Sequence, residues 1–574
     1  MKLFRYSILT GLVMLTGCAM FEREPRPAPE PEPEAVAPEV VPEQPREVRP
    51  GEASGWVMSG ELALRRGNYE RALDAFGRAI ELTGEPGVAQ RVTEVALTLG
   101  DDALALAAAR HWVELAPTRT EARQVQVVLE LRSGNEVAAL EALRELLELS
   151  GEGAGESLLA LRDSLVEDVE TDRVLAVLDQ VGGDYEQLAE LHYVRAAVAY
   201  GGGQLVLAET AVAEARQLAP EWVDPLVLQA RVLVARDQPE AAEEVMAQGL
   251  KKYPGEDDLR LAYGRLLFEL GRENDARREL ERLVEANPSH AGAIRILGLL
   301  ALDQERYDDA HDYFMRLLQL GSHADEAYYY LGSLEAGQGN EATAMRWLSQ
   351  VREGRHVLPA RILLAETLGE TGNLDAAREL LRQMRQARPD ARLALFEVEG
   401  RLLYNQGRYQ AAVEVYDQGL DEFPDDRTLL YGRALSLERL DRLAAVERDL
   451  RRILAQDPDD PLALNALGYT LADRTSRHEE ALGYIARALE QQPDNPAIID
   501  SMGWVKYRLG DYEAAEQYLR RAHEMLDDPE ISAHLGEVLW VSGRREEARE
   551  IWRQAMEYFP DSDVLRETVQ RLKD

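Results

Sequence analysis

The sequence predicts an all-α fold built as a long array of helical repeats. Charged residues make up 29% and aromatic residues 6% of the 574 residues. This mixture is rich in helix formers and poor in the residues that strands prefer. A period of 34 residues indicates a repeat architecture, and it is marked by Ala208, Ala242, Ala276, Ala310 and Ala344. The length also exceeds what one hydrophobic core usually serves.

Each repeat is predicted to hold two amphipathic helices. An apolar stretch with i, i+3, i+4, i+7 spacing leads to a turn such as Gly407-Arg408-Tyr409, and a second such stretch follows. Small residues at one place, such as Gly264 and Gly298, would let the two helices cross closely. Prolines stop the second helix, and they recur at Pro220, Pro254, Pro288, Pro389, Pro424, Pro458 and Pro493.

These residues resemble the tetratricopeptide repeat. That repeat has small residues at positions 8, 20 and 27, a bulky residue at 24 and proline at 32. The unit 496–529 has Gly503, Ala515, Leu519 and Ala522, and the unit 393–426 has Gly400, Ala412, Tyr416 and Pro424. The resemblance implies a superhelical solenoid of about fifteen repeats, which begin near residues 53, 86, 120, 154, 189, 223, 257, 291, 325, 358, 393, 427, 461, 496 and 529.

The repeat array is expected to span residues 53–563, with residues 564–574 as a helix that caps the last apolar face. Residues 120–188 fill few consensus positions. Because Pro117 and Pro220 are 103 residues apart, close to three periods, two degenerate repeats are expected there in register. The segment 473–479 contains one extra residue in a turn.

Residues 18–52 are expected to form a disordered linker that begins with a lipidated cysteine. Nine prolines interleaved with glutamate lie between residues 25 and 50, which blocks both helix and sheet. In polyproline II geometry this segment reaches about 80 Å. A proline-rich docking motif is the alternative interpretation.

The first seventeen residues are expected to be a lipoprotein signal peptide. Lys2 and Arg5 precede an apolar stretch over residues 6–16, which is too short to span a bilayer. It ends in Leu15-Thr16-Gly17-Cys18, which resembles the lipobox of bacterial lipoproteins and implies acylation of Cys18, the only cysteine. Ala19 is not the aspartate that retains such proteins at the inner membrane. The resemblance therefore implies a lipid anchor in the outer membrane, facing the periplasm.

No enzyme chemistry is indicated. The formal net charge of −39 disfavours nucleic acid as a ligand, and it is expected to keep an extended surface soluble. The sequence has no HExxH, phosphate-binding loop or GxSxG motif. Carboxylate pairs such as Asp101-Asp102 and Asp459-Asp460 are expected to cap helices, Gly201-Gly202-Gly203 to form a turn, and the nine histidines to lie on helix surfaces. No cofactor or metal is expected.

Binding of proteins or peptides is the remaining function. In tetratricopeptide arrays, positions 2, 5, 9, 12 and 13 of the first helix line the concave groove. Aromatic residues and arginine, which are enriched at binding hot spots, occupy these positions at Tyr193, Tyr200, Arg231, Arg265, Phe268, Arg295, Tyr329, Arg401, Tyr404, Tyr469, Trp504, Tyr507, Arg508 and Trp540. Packing between helices is the alternative role for some of the aromatic residues. A two-carboxylate clamp is not expected, because only Asn465 matches its pattern.

The lipobox, the acidic linker and the run from Asn465-Ala466-Leu467-Gly468-Tyr469 to Asp500-Ser501-Met502-Gly503-Trp504 together resemble a group of large tetratricopeptide lipoproteins of Gammaproteobacteria. One member is the lipoprotein partner of a periplasmic carboxy-terminal processing protease. The resemblance implies an adaptor that recruits and activates this protease and presents peptidoglycan hydrolases to it. An assembly scaffold for exopolysaccharide export or for a pilus secretin is the alternative.

Overall fold

The computed structural model describes residues 52–573. In this part of the chain, fifteen consecutive two-helix repeats are followed by one last helix, with two short 3-10 turns and no strand. The all-α solenoid prediction is therefore confirmed. The signal peptide, Cys18 and the linker up to residue 51 lie outside the described residues.

Odd-numbered helices are the first and even-numbered helices the second members of each pair, and α31 is the last helix. The bounds are α1 Glu52–Arg65, α2 Tyr69–Thr83, α3 Pro86–Leu99, α4 Asp102–Leu115, α5 Thr120–Arg132, α6 Glu136–Ser150, α7 Ala154–Glu167, α8 Thr171–Tyr185, α9 Ala189–Gly201, α10 Leu205–Leu218, α11 Asp224–Ala235, α12 Pro239–Lys252, α13 Asp257–Glu269, α14 Glu273–Ala286, α15 Ala291–Asp303, α16 Tyr307–Gln319, α17 Ala324–Gly337, α18 Glu341–Gln350, α19 Val357–Glu370, α20 Leu374–Ala387, α21 Arg392–Asn405, α22 Tyr409–Glu422, α23 Arg427–Arg439, α24 Leu443–Gln456, α25 Pro461–Arg474, α26 His478–Gln491, α27 Pro496–Arg508, α28 Tyr512–Met525, α29 Pro529–Val541, α30 Arg545–Tyr558 and α31 Asp563–Lys573.

The described residues form two compact units, one that ends at Arg316 and one that begins at Leu317. Each unit has a core made of apolar clusters that consecutive repeats share. The largest cluster of the first unit extends from Val127 to Val232, and that of the second unit extends from Phe396 to Val505. Since no repeat buries its apolar face alone, every repeat depends on its neighbours for stability.

Small residues let the two helices of a pair cross closely. A Cβ atom added at Gly503 of α27 would lie 2.6 Å from Cγ of Leu519 in α28, and one at Gly400 of α21 would lie 2.3 Å from Cζ of Tyr416 in α22. Leu519 and Tyr416 are themselves buried. The glycine at position 8 of the repeat therefore makes room for the bulky residue at position 24.

The degenerate segment departs from this packing. Helices α7 and α8 touch each other at few residues, whereas α7 packs on α9 and α8 packs on both α6 and α9. The repeat that starts at residue 154 has Leu161, Arg173 and Gln180 where other repeats have small residues. Because these side chains are too large for a close crossing, the two helices follow each other in register without forming the usual pair.

Capping and turn residues behave as the sequence predicts. The carboxylates of Asp101 and Asp460 accept hydrogen bonds from the backbone N–H groups of Leu104 (3.1 Å) and Ala463 (2.8 Å). The expectation that these carboxylate pairs cap helices is thus confirmed. Gly203 has φ 73°, in the turn between α9 and α10. This left-handed conformation favours glycine.

An arginine of the second helix fastens successive repeats in the C-terminal half. Nη2 of Arg521 donates to the backbone carbonyl of Pro493 at 2.9 Å and to the Asp494 carboxylate at 2.8 Å. Arg487 bonds in the same way to Pro458 and Asp459. The proline that ends one repeat is therefore held by the next repeat.

The last helix covers the end of the array. Leu565 and Val569 of α31 are buried against the cluster that contains Trp552. The Arg571 guanidinium also binds the buried Glu537 carboxylate of α29, with Nη1 3.0 Å from Oε1. Within residues 52–573 no helix is both long and apolar enough to cross a bilayer.

Candidate functional site

The candidate site is the surface formed by the first helices, called here the first-helix face. Within each unit the first helices of most consecutive repeats contact one another, as α21 does α23 and α25 does α27. Within the described residues, α6 and α8 are the second helices of consecutive repeats that contact each other as closely as the first helices do. A row of repeats whose first helices lie closer together than its second helices curves toward the first helices, so this face is the inner surface of each unit.

Tyr193 begins the first-helix face in the first unit. Its ring lies 4.7 Å from the ring of Trp222, and its hydroxyl oxygen is 3.3 Å from Nη1 of Arg162. Burial raises the pKa of Tyr193, although the Arg162 guanidinium counteracts the shift. With 8% of its surface exposed, Tyr193 supports the face from beneath rather than offering its ring to a ligand.

Tyr200 and Arg231 belong to neighbouring repeats, and the structure brings them together. The Arg231 guanidinium lies over the Tyr200 ring at 5.0 Å from its centroid, in cation–π geometry. Arg265 follows Arg231 at the same repeat position, and both arginines are exposed. Phe268 is half-buried against the apolar cluster of α13, α14 and α15.

Arg295 of α15 is half-buried and interacts with another residue of the chain. Tyr329 of α17, in the second unit, stacks on the His356 ring with centroids 4.9 Å apart. Tyr330 approaches the same imidazole edge-on at 5.5 Å. Burial raises the pKa of Tyr329. His356 therefore joins the rings of two consecutive tyrosines to the start of the next repeat.

Arg401 and Tyr404 lie on α21. Arg401 is exposed and forms an ion pair with Glu366 of α19 at 2.6 Å. Burial raises the pKa of the Glu366 carboxyl, and Arg401 counteracts the shift. The Tyr404 ring meets that of Tyr409 edge-on at 5.3 Å, and the Arg439 guanidinium lies over Tyr409. Tyr409 begins the second helix α22, so Tyr404 and Arg439 contact it from the first helices α21 and α23.

A polar and aromatic group on α25, α27 and α29, called here the C-terminal cluster, contains Tyr469, Asp500, Trp504, Glu530 and His534. The Tyr469 hydroxyl donates to Glu530 at 2.5 Å. Nδ1 of His534 lies 3.1 and 3.0 Å from the two carboxylate oxygens of Asp500. The imidazole stacks on the Trp504 indole with centroids 4.0 Å apart.

Electrostatics favour a charged imidazole in this cluster. Burial alone would lower the pKa of His534, but the adjacent Asp500 carboxylate outweighs burial and raises it to about 9. Burial first, and then Glu530, raises the pKa of Tyr469 well above its usual range. Tyr469 is therefore a neutral donor and His534 a cation at neutral pH.

Two neighbouring interactions extend the cluster. The Trp504 indole N–H donates to Asp473 at 3.2 Å, and Arg508 donates to the backbone carbonyl of Asp473 at 2.8 Å. The Tyr507 hydroxyl donates to Glu537 at 3.1 Å. Burial, followed by the Glu537 carboxylate, raises the pKa of Tyr507 to about 12.

Trp540 lies near the second helix of its own repeat. The guanidinium groups of Arg545 and Arg549 stand over its ring at 5.0 and 5.3 Å, and the Trp552 ring is 5.7 Å away. Tyr469, Trp504, Tyr507 and Arg508 likewise bind groups of this chain. Arg231 and Arg265 in the first unit, and Arg401 in the second unit, are exposed.

The expectation that histidines lie on helix surfaces is wrong for His192 and His534, both of which are buried. His534 and its partner Asp500 are 34 residues apart, one repeat period. A separation of one repeat period can be read from the sequence. It does not by itself predict that His534 and Asp500 are in contact, because the sequence does not show that their side chains face each other. Asp500, Glu530 and Asp473 were missed because acidic residues occur throughout the chain.

A polar cavity of about 730 Å³ lies in the first unit, between α8, α9 and α10. His192, Arg195 and Asp179 line it, and the Arg195 guanidinium forms an ion pair with Asp179 at 2.6 Å. Nδ1 of His192 is 2.8 Å from Glu214. The residues described here include no group of three or more side chains that would hold a metal ion.

Comparison with known proteins identifies the class. Models of the tetratricopeptide repeat match residues 233–299, 297–355, 358–383, 397–445, 447–496 and 506–572. The chain belongs to the tetratricopeptide-repeat family, and its role is that of a protein–protein interaction scaffold. A TPR repeat-containing protein of Pseudomonas aeruginosa is 34% identical over 517 residues, which are 90% of this chain and 87% of that protein.

Solved structures with similar folds include the APC/C hetero-tetramer Cut9–Hcn1 and yeast Tom70. The first is 14% identical and covers 91% of this chain and 97% of its own, with a TM-score of 0.36. The second is 13% identical and covers 90% of this chain and 99% of its own, with a TM-score of 0.31. The family assignment depends on the repeat models and on the Pseudomonas relative rather than on these superpositions.

Proposed function

We propose that this chain is a lipid-anchored periplasmic adaptor that holds a carboxy-terminal processing protease on its first-helix face. In this proposal it activates the protease and presents peptidoglycan hydrolases to it for degradation. The observation that carries the binding role is that each unit has exposed arginines and half-buried rings on its first helices. Arg231 lies over Tyr200 in the first unit, and Arg401 lies three residues before Tyr404 on α21 of the second unit. Arginine and tyrosine are enriched at the energetic centres of protein interfaces.

The sequence supports both the lipid anchor and the proposed outer-membrane location. The lipobox ending in Cys18 supplies an acylation site, and Ala19 agrees with transfer to the outer membrane. One acyl chain alone binds a bilayer only marginally, so stable anchoring needs the two or three chains of mature lipoproteins. The linker of about 80 Å in polyproline II geometry would let the array reach away from the membrane.

An adaptor of this kind acts by raising the effective concentration of the protease and its substrate near each other. When enzyme and substrate bind one scaffold, the second binding event becomes intramolecular and proceeds at an effective concentration in the millimolar range. No residue of the scaffold then has to take part in the chemistry. This agrees with a first-helix face that is rich in contact groups, and with the absence of nucleophile and phosphate-binding motifs from the sequence.

The test combines capture with a cellular readout. Affinity purification of the full lipidated chain from cross-linked envelopes is expected to recover a periplasmic protease. Deletion of the gene is expected to make peptidoglycan hydrolases accumulate, and a plasmid copy is expected to reverse the accumulation. A copy with Arg401→Glu should restore the effect poorly. A copy with Arg346→Glu, which alters an exposed arginine on the second helix α18, should restore it fully.

Two results would contradict the adaptor. Recovery of no periplasmic protease, together with unchanged hydrolase levels, would contradict the adaptor hypothesis. Recovery of exopolysaccharide-export or pilus-secretin components instead would support an assembly scaffold. Both outcomes leave the protein-binding role of the repeats intact.

A further inference from the structure

The arginines at position 9 of the repeat differ in how they are paired. Arg401 forms an ion pair with Glu366, which stands at the same position of the preceding repeat. Arg162 is paired with Asp163 at 2.7 Å. Arg231 and Arg265 are exposed, and neither has a carboxylate partner within 4.0 Å among residues 52–573. Two cations one repeat apart thus face the inner surface of the first unit with their charges uncompensated.

This arrangement is unusual in so acidic a chain. Asp and Glu outnumber Lys and Arg by 104 to 65, and most arginines of the second helices bind a carboxylate nearby. The Tyr200 ring beneath Arg231 fixes the guanidinium plane. A guanidinium with its plane fixed binds a carboxylate at a smaller entropic cost than a freely rotating one. The strip formed by Tyr200, Arg231 and Arg265 therefore fits an extended acidic segment.

We propose that the occupant of this strip is the chain's own acidic segment, Glu30-Pro31-Glu32-Pro33-Glu34. Residues 25–50 contain six glutamates and three arginines, a net charge of −3 (3 − 6). Alternating prolines favour polyproline II, in which Glu30 and Glu34, four residues apart, stand roughly 12 Å from each other. Arg231 and Arg265 lie on α11 and α13, first helices that do not pack closely on each other. Their separation therefore exceeds the about 8–10 Å of packed helices and suits two carboxylates at this wider spacing.

The covalent connection makes a weak contact sufficient. Glu34 and Glu30 lie 18 and 22 residues before residue 52 (52 − 34 and 52 − 30), which is a reach of roughly 56–68 Å in polyproline II geometry. The strip lies in the fifth to seventh repeats of the array. A short linker gives an effective concentration on the order of 1 mM. A segment with a dissociation constant of about 0.1 mM then occupies the strip about nine-tenths of the time. A partner that binds the same surface has to displace it.

The test uses a fluorescent synthetic peptide of residues 25–50 as the probe. Its binding is measured by anisotropy on the full chain and on a chain lacking residues 25–50. The peptide is expected to bind the deleted chain about tenfold more tightly, because the full chain's own segment competes with it. Arg231→Ala with Arg265→Ala in the deleted chain should weaken binding about tenfold. Arg346→Ala with Arg382→Ala, on second helices, should leave binding unchanged.

Several outcomes would overturn the proposal. Equal affinity for the full and deleted chains would show that the segment does not occupy the strip. Binding that ignores the two arginine substitutions, or that survives exchange of the glutamates for glutamine in the peptide, would place the contact elsewhere. Absence of binding to the deleted chain would also refute it. None of these results depends on which partner the adaptor recruits, because the assay contains no protease.

Discussion

The hydroxyl of Tyr469 in α25 donates a hydrogen bond to the Glu530 carboxylate in α29, across 61 positions of the sequence. The two residues belong to the thirteenth and fifteenth repeats, so the bond passes over the intervening first helix α27. Such a contact requires strong curvature toward the first helices. It makes the last repeats a coupled group rather than a chain of independent neighbours.

Removing this bond should loosen both ends of the contact. Tyr469→Phe is expected to cost about 1 kcal/mol, below the about 1.5–3 kcal/mol of a typical hydrogen bond to a charged group, because Glu530 is exposed and water can replace the donor. Hydrogen exchange measured by mass spectrometry should then accelerate about fivefold in α25 and α29. Tyr558→Phe, at a hydroxyl that is 77% exposed, is the matched control and should change nothing. Acceleration spread evenly along the array would contradict the coupling.

The His534–Asp500 pair predicts a dependence of stability on alkaline pH. The pKa of His534 is about 9 in the folded chain and about 6.5 in an unfolded chain. A raised pKa of this kind stabilises the fold fully below pH 6.5, and the contribution is lost as the pH rises through 9. The denaturant concentration at the midpoint of unfolding, followed by tryptophan fluorescence, should decrease as the pH is raised from 7 to 9.5.

Asp500→Asn provides the control for this pH dependence. Without the carboxylate, burial lowers the pKa of His534 and the imidazole is neutral at pH 7. This variant should have a lower midpoint than the parent at pH 7 and a similar midpoint at pH 9.5. An equal fall with pH in both proteins would assign the dependence to other groups.

Close helix crossing at Gly400 can be tested by adding one carbon. Gly400→Ala places a Cβ atom 2.3 Å from Cζ of the buried Tyr416 ring, and it is expected to destabilise the array by about 1–3 kcal/mol through overpacking. At Gly483 of α26 a Cβ atom meets no atom within 4 Å. Gly483→Ala should therefore stabilise by about 0.5–1 kcal/mol, as alanine does in a helix interior. Denaturant midpoints of the two variants that move in the same direction would refute this account.

The lipid anchor is a prediction from the signal-peptide pattern and the lipobox that ends in Cys18. Cys18→Ser is expected to abolish incorporation of labelled palmitate and to move the chain from the membrane to the soluble envelope fraction. Ala19→Asp should keep the label but shift the chain toward inner-membrane fractions in an enterobacterial host. A Cys18→Ser chain that still sediments with membranes would contradict lipid anchoring.

The sequence predicts the fold closely because the repeat is encoded locally. The period places repeat starts at residues 291 and 461, and α15 and α25 begin at Ala291 and Pro461. Glycine at position 8 opposite a bulky residue at position 24 specifies the crossing within each pair. Where that pattern fails, at Leu161 and Arg173, the pairing of α7 with α8 fails as well.

Contacts between repeats were not predictable in the same way. Whether Tyr469 meets Glu530 depends on the small rotation between successive repeats, which the period does not contain. The burial of His534 depends on the same rotation, because its partner Asp500 lies on the preceding first helix. The groove positions of the repeat select aromatic and arginine side chains. They do not show which of these side chains bind other groups of this chain, as Trp504 and Tyr507 do.

The most direct test of the adaptor is photo-crosslinking in living cells from two matched surface positions. Benzoylphenylalanine placed at Arg401, on the first-helix face, is expected to capture a carboxy-terminal processing protease. The same group at Arg346, on the second helix α18, is expected to capture none. A protease adduct from Arg346 alone, or no protease adduct from either position, would contradict the claim that the first-helix face holds the partner.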